Sequence, residues 1–179
     1  MPLRMIVAGG GTGGHVFPGI ALADAFLSLC PDGAVSFVGT REGLEARAVP
    51  ARGFSIDLVP SGQVRGKGIG ALPGALRMAL GFPAAVTVLR RRRPDLVFGV
   101  GGYASLPVAL SAALLGIPLF LQEQNSVPGR SNRFLARHAV RVFAGFSGAV
   151  PFFPPGRAEV TGNPVRPESA RSLRQVRID

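Results

Sequence analysis

The sequence alternates short apolar runs of strand length with helical patterns and glycine-rich loops. This alternation predicts an α/β fold with a Rossmann-like, doubly wound parallel sheet. The predicted strands are residues 4–8, 35–38, 56–59, 96–100, 119–122 and 140–144. The predicted helices are residues 18–29, begun by a proline, residues 106–115 and residues 131–136. Ligands of such sheets bind beyond the carboxyl ends of the strands, so the loops at that edge are the candidates for function.

One long uncharged stretch, residues 96–122, has the length of a bilayer-spanning helix. Gly101-Gly102, Pro107 and Gly116-Ile117-Pro118 divide it, so we expect a strand, a helix and a second strand buried in the core. The apolar start of the chain is too short for a signal peptide. The single cysteine, Cys30, excludes an internal disulfide, as expected of a cytoplasmic protein.

The strongest local motif is the glycine loop Gly9 to Gly14, which follows the first predicted strand and ends at His15. Glycines let main-chain N–H groups approach a phosphate, and a helix N-terminus favours an anion. The loop also matches the dinucleotide pattern G-x-G-x-x-G, but the second strand lacks the acidic residue that binds ribose. An NADP-dependent oxidoreductase that uses Arg41 is therefore one alternative, and glycines that serve only helix–strand packing are another.

Two further loops follow predicted strands at the same edge. One contains Gly101-Gly102-Tyr103, and the other contains Glu123-Gln124-Asn125. Because the strands are predicted to be parallel, we expect the side chains of His15, Tyr103, Glu123 and Asn125 to converge on one cleft. Alternatively, each is an ordinary polar loop residue with its hydrogen bonds satisfied.

Four motifs in order resemble the N-terminal half of the MurG family of bacterial glycosyltransferases, over essentially the whole chain. They are Gly9-Gly10-Gly11-Thr12-Gly13-Gly14-His15-Val16-Phe17-Pro18-Gly19, Gly101-Gly102-Tyr103, Glu123-Gln124-Asn125 and Gly162-Asn163-Pro164-Val165-Arg166. The resemblance implies the first half of a GT-B fold. It also implies inverting transfer of N-acetylglucosamine from UDP-N-acetylglucosamine to the 4-hydroxyl of a lipid-linked N-acetylmuramyl pentapeptide diphosphate. Another GT-B enzyme that glycosylates a lipid is the nearest alternative.

The resemblance also implies a domain division and residue roles. Residues 1–162 are expected to form the acceptor-binding domain, and residues 163–179 a linker or the start of a donor-binding domain that this chain lacks. The expected general base is His15, because histidine is the side chain that most often takes this role, with Glu123 as the second candidate. The residues expected at the acceptor diphosphate are Gly11, Gly13, Gly14, Gly101, Gly102, Tyr103 and Ser105. Those expected at UDP-N-acetylglucosamine are Thr12, Gly13, Gly14, Asn125 and Arg166. No metal or cofactor is expected.

The chain carries a formal net charge of +10, and Lys67 is its only lysine. Such a surface attracts polyanions, which include nucleic acids, anionic lipids and phosphorylated ligands. With one tyrosine and no tryptophan, a nucleic-acid-binding module is the less favoured alternative.

A membrane-binding face is predicted by Leu72, Leu76 and Leu80, which recur at helical spacing with Phe82 and Arg77 nearby. The flanking basic residues are Arg65, Lys67 and Arg90 to Arg93. We expect a peripheral protein on the cytoplasmic face of the bacterial inner membrane. The alternative is that the leucines face the core, and Pro73 and Pro83 weaken the prediction of one straight helix.

Overall fold

The computed structural model describes residues 2–62 and 72–164. Seven parallel strands form one sheet in the order β3-β2-β1-β4-β5-β6-β7. The strands are β1 (Arg4–Gly9), β2 (Ala34–Gly39), β3 (Ser55–Leu58), β4 (Leu96–Gly101), β5 (Leu119–Glu123), β6 (Arg141–Ala144) and β7 (Ala158–Val160). The strand order reverses beside β1, where the chain crosses to β4. This is the predicted doubly wound sheet, and its switch point lies between β1 and β4.

Helices cover both faces of the sheet. They are α1 (Gly13–Leu29), α2 (Glu45–Ala48), α3 (Leu72–Arg92), α4 (Ser105–Leu114) and α5 (Arg130–Leu135), with 3₁₀ turns at Pro50–Arg52 and Ser147–Phe152. Successive β1 side chains point to opposite faces, so Met5 and Val7 pack in the cluster that contains α1. Ile6 and Ala8 pack in the cluster that contains α3 and α4. Because helices cover both faces of the central strands, these strands are apolar without alternation.

Residues 96–122 form β4, α4 and β5, which confirms the prediction that this uncharged stretch does not make a spanning helix. Within the described ranges, α3 is the helix long and apolar enough to cross a membrane by length and composition. Its C-terminal half instead packs into the core through Ala85, Val88 and Leu89. The C-terminal half of α3 is therefore part of the buried core.

Two helices differ from prediction because of proline. Helix α1 begins at Gly13 rather than at Pro18, since the N–H groups of His15 and Val16 already donate to the carbonyl of Thr12 at 3.1 Å. Pro18 therefore lies inside the helix, where it removes one main-chain hydrogen bond. Helix α3 is a single helix in spite of Pro83, although Pro73 and Pro83 weakened the prediction of one straight helix.

Candidate functional site

A cleft of about 310 Å³ lies beyond the carboxyl ends of β1, β4 and β5. The loops after these neighbouring strands contribute His15, Tyr103, Glu123 and Asn125 to its lining, so the structure brings together the four side chains expected to converge. The first turns of α1 and α4 lie at the same edge, since α1 begins at Gly13 and α4 at Ser105. Two helix N-termini favour an anion at this edge.

The two glycine loops approach each other closely. The N–H of Gly10 donates to the carbonyl of Gly101 at 3.4 Å. Gly101 and Gly102 have φ angles of +91° and +81°, which favour glycine. A Cβ atom on Gly102 would overlap the Gly10 carbonyl oxygen and lie 3.3 Å from the ring of His15. Glycine is thus required at position 102 both by conformation and by space.

The imidazole of His15 is held in one tautomer by Gln124. The Gln124 amide donates through Nε2 to the carbonyl of Val100 at 3.0 Å, which turns its Oε1 towards His15. His15 Nδ1 lies 3.3 Å from that oxygen and must carry the proton to form the hydrogen bond. The Nε2 atom of His15 is then left with a free lone pair, as a general base requires.

Glu123 is buried, with 2% of its surface exposed, and holds the third loop. Its Oε1 accepts hydrogen bonds from the N–H and the side chain of Asn125 at 2.9 and 3.0 Å. Its Oε2 accepts from the N–H of Gly129 at 3.2 Å and from Asn132 at 3.0 Å. These four bonds occupy both carboxylate oxygens. The side chain that contacts and orients His15 is therefore that of Gln124.

A second buried carboxylate, Glu45, supports the first glycine loop and was missed by sequence reasoning. Its surface is 1% exposed, and it accepts hydrogen bonds from the N–H of Gly11 at 2.7 Å and from the N–H and hydroxyl of Thr40 at 2.8 and 2.9 Å. Cβ atoms on Gly10, Gly39 or Gly43 would overlap this carboxylate. The available signal was an acidic residue among glycines just after β2. Because Glu45 faces inward, it does not supply the ribose-binding acid of a dinucleotide site.

The remaining predicted site residues fall into three groups. Gly11 and Thr12 line the cleft together with the Gly101-Gly102-Tyr103 loop, although the N–H of Gly11 points to Glu45. Gly13, Gly14 and Ser105 are not among the residues that line the cleft, and the Ser105 hydroxyl donates to the Gly102 carbonyl at 2.8 Å. Arg166 lies outside the described residues.

The predicted membrane face is exposed in its first half. Leu72, Leu76 and Leu80 are 64%, 58% and 53% exposed, so the alternative that they face the core is wrong. Phe82 is half-buried. Arg77 is exposed and lies 3.7 Å from Glu42. Of the flanking basic residues, Arg65 and Lys67 lie outside the described residues.

The basic run at the end of α3 is partly neutralised. Arg91 and Arg92 contact the carboxylate of Asp57 at 2.5 and 2.7 Å. Their charges therefore contribute to the attachment of α3 to β3 as well as to the surface potential.

The leucine face is connected to the cleft through Ser61. The hydroxyl of this buried residue donates to the carbonyl of Tyr103 at 3.0 Å and lies 3.6 Å from the sulfur of Met78 in α3. Ser61 thus contacts both the N-terminal half of α3 and the loop that carries Tyr103. The exposed leucines and the cleft consequently lie at the same end of the sheet.

Comparison with known proteins places this architecture in a family. Residues 5–144 match the glycosyltransferase family 28 N-terminal domain. The chain belongs to glycosyltransferase family 28. The resemblance found in the ordered glycine and amide motifs is confirmed, and the cleft of this family 28 chain is built from the loops that carry those motifs.

Relatives and solved structures agree with the family assignment. A "UDP-N-acetylglucosamine--N-acetylmuramyl-(pentapeptide) pyrophosphoryl-undecaprenol N-acetylglucosamine transferase" from Pelobacter propionicus is 52% identical over 165 residues, covering 92% of this chain and 44% of the relative. The crystal structure of Acinetobacter baumannii MurG superposes with a TM-score of 0.76 at 30% identity, covering 94% of this chain and 47% of that one. A UDP-N-acetylglucosamine 2-epimerase from Rickettsia bellii, at a TM-score of 0.64, 15% identity and coverage of 91% and 45% of the two chains, shares the fold. The family 28 chain spans less than half the length of these proteins.

Proposed function

We propose that this chain is the acceptor-binding half of an inverting N-acetylglucosaminyltransferase of peptidoglycan synthesis. The donor would be UDP-N-acetylglucosamine, and the acceptor the undecaprenyl diphosphate of N-acetylmuramyl pentapeptide. In this proposal residues 1–162 form the acceptor domain, residues 163–179 lead towards a donor-binding half, and the chain alone binds without turnover. The observation that carries the proposal is the contact of His15 Nδ1 with Gln124 Oε1 beside two glycine loops, a geometry that leaves Nε2 of His15 to accept a proton.

In the proposed reaction the 4-hydroxyl of the muramyl sugar attacks the anomeric carbon of N-acetylglucosamine. The bond from that carbon to UDP breaks, the configuration inverts, and His15 Nε2 takes the hydroxyl proton. Glu123 is the weaker candidate for the base, because its oxygens already accept four hydrogen bonds. The proposed role of Glu123 is to fix the loop of Asn125, the residue proposed to contact the donor nucleotide.

The acceptor diphosphate would lie at the glycine loops. The N–H groups of Thr12, Gly13 and Gly14 open α1, and the N-terminus of α4 adds a second dipole. These main-chain groups would take the part that a divalent metal takes in some glycosyltransferases. Thr12, Asn125 and Arg166 are proposed, by resemblance alone, to contact the donor nucleotide.

The base is tested by replacing His15 with alanine in the complete protein that contains this chain and following UDP release with the lipid-linked acceptor. We expect turnover to fall roughly 100-fold or more, the contribution of a positioned general base. The matched control is His138→Ala, the other histidine, which is exposed on the segment after α5. Near-normal turnover of the His15→Ala enzyme would exclude His15 as the base.

We further propose peripheral binding to the inner membrane through the exposed leucines of α3. The face adjoins the Tyr103 loop, so a lipid-linked sugar diphosphate could reach the cleft while its lipid stays in the bilayer. Leu76→Glu combined with Leu80→Glu should abolish most pelleting with vesicles that contain anionic lipid.

Leu29→Glu is the control for the membrane experiment, because this residue ends α1 in the other helical layer and is 83% exposed. It should pellet like the wild type. Unchanged pelleting of the α3 double variant, or an equal loss in the Leu29 variant, would contradict the proposed face.

A further inference from the structure

Asn132 has an amide whose orientation is fixed by its surroundings. Its side chain lies in α5 and is buried, with 2% of the residue exposed. The Nδ2 group donates to the carbonyl of Gln122 and to Oε2 of Glu123, both at 3.0 Å. A rotated amide would place an oxygen against these two acceptors, so the nitrogen must lie on this side. The Oδ1 atom therefore points away from the strand end.

Oδ1 of Asn132 is a buried acceptor without a donor. Among the buried side-chain atoms of the described residues, it alone has no hydrogen-bond partner. Native structures rarely leave such a group unpaired, because its desolvation is not compensated. An unpaired acceptor in a candidate site is therefore evidence for a ligand that supplies the hydrogen.

The position of Asn132 relates it to the proposed base. The residue lines the same cleft as His15 and Asn125. A Cβ atom built on Gly101 would lie 3.2 Å from Nδ1 of His15 and 3.5 Å from Nδ2 of Asn132, so the two side chains flank one glycine. A group that contacts Asn132 would thus lie in the same cleft as the His15 ring.

We propose that Oδ1 of Asn132 accepts a hydrogen bond from a neutral donor of the acceptor sugar, a hydroxyl or the acetamido N–H, and so selects the acceptor. An ionised diphosphate has no hydrogen to donate, and the chemistry therefore points to the sugar rather than to its phosphates. The inference rests on the proposed function, because it assumes that the cleft binds the acceptor.

The test is a double-mutant cycle between protein and acceptor, with the complete enzyme that contains this chain. The probes are the lipid-linked muramyl pentapeptide diphosphate and analogues that lack one donor each: 4-deoxy, 6-deoxy and N-methylacetamido. Binding is measured by competition with a fluorescent acceptor, so the non-reactive 4-deoxy analogue is included. In the wild type, one analogue should bind about tenfold more weakly than the parent, because it leaves the buried Oδ1 of Asn132 without a hydrogen-bond donor. In Asn132→Ala the same analogue should bind as well as the parent.

The control is Asn125→Ala, which also removes an amide hydrogen bond of 3.0 Å to the carboxylate of Glu123. If Asn132→Ala acted only by disturbing Glu123, Asn125→Ala would have the same effect. In both variants the analogue would then still bind more weakly than the parent acceptor. Only a direct contact cancels that penalty in Asn132→Ala alone.

Three results separate the possible failures. If the wild type does not bind the parent acceptor, the proposed function fails. If it binds the parent and all three analogues within threefold of one another, the assignment of Asn132 is overturned, whether or not the Asn132 variant folds. An analogue penalty that persists in Asn132→Ala also overturns the assignment, since the donor then contacts another group.

Discussion

Replacing Gly102 with alanine tests the close approach of the two glycine loops. Alanine at a φ of +81° costs about 1–2 kcal/mol in any protein. At position 102 the new Cβ would also overlap the main-chain oxygen of Gly10 and press on the His15 ring. Main chain cannot rotate away as a side chain can, so overpacking adds about 1–3 kcal/mol.

Gly53 supplies a control in which only the first cost is present. Its φ is also +81°, and a Cβ there would meet nothing within 4 Å. The difference between Gly102→Ala and Gly53→Ala therefore isolates the overlap. For a chain of this size each kcal/mol lowers the melting temperature by about 2–4 °C. We expect Gly102→Ala to melt roughly 2–12 °C below Gly53→Ala.

The assay is thermal unfolding of both variants and the wild type, followed by circular dichroism, with urea unfolding as a second measurement. Equal melting temperatures for the two variants would refute the close approach of the loops. A large loss in Gly53→Ala would instead mean that conformational strain dominates at both positions.

Two further predictions concern the buried polar residues. Glu45→Gln turns an amide N–H towards the N–H group of Gly11 or Thr40 and should lower the free energy of unfolding in urea by about 1–3 kcal/mol. The control Glu42→Gln, with 62% of its side chain exposed, should lower it by less than about 0.5 kcal/mol. Equal unfolding midpoints for the two variants would contradict the role of Glu45. Gln124→Leu releases the His15 ring and should lower kcat of the complete enzyme roughly 10- to 100-fold with little change in KM. The control is Gln122→Leu, which is also buried near the end of β5 but makes its side-chain hydrogen bonds to Gly162 and Asn163, and it should leave kcat near the wild-type value. An equal fall in both variants would show that Gln124 acts only through stability.

Most of the fold was predictable because its sheet is buried on both faces. Doubly buried parallel strands leave continuous apolar runs, and six strands were located within one or two residues of their observed limits. The strand β7, with only three residues at the edge, leaves no such run. Helix α1 was predicted five residues short, because proline favours a first turn, whereas the observed helix begins at Gly13 with the Thr12 carbonyl accepting from His15 and Val16.

The candidate site was predictable in position but not in its hydrogen bonding. Parallel strands bring the ends of β1, β4 and β5 together, so the convergence of His15 and Tyr103 follows from topology. The conformation of each loop and the pleat of the strand before it decide which polar side chain faces inward. Gln124 and Glu123 are adjacent, yet one holds the histidine and the other holds the loop. Sequence motifs do not resolve such a difference.

The three loops of the cleft share one construction. Each is held from inside by a buried polar side chain: Glu45 under the first loop, Ser105 under the second and Glu123 under the third. Each of these groups hydrogen-bonds to at least one main-chain atom of its loop. A rigid edge of this kind positions its main-chain donors before a ligand arrives, which reduces the cost of ordering on binding.

The same construction extends to the leucine face. Ser61, buried beside Tyr103, contacts both the second loop and Met78 of α3, so it links the helix of the exposed leucines to the cleft. A sugar diphosphate on a membrane lipid is confined to a layer near the bilayer surface. An enzyme that binds such a substrate gains if its membrane contact and its cleft have a fixed relative position, because the substrate then meets the cleft without a further search. In this chain the hydroxyl of Ser61 is one contact that would contribute to such a fixed position.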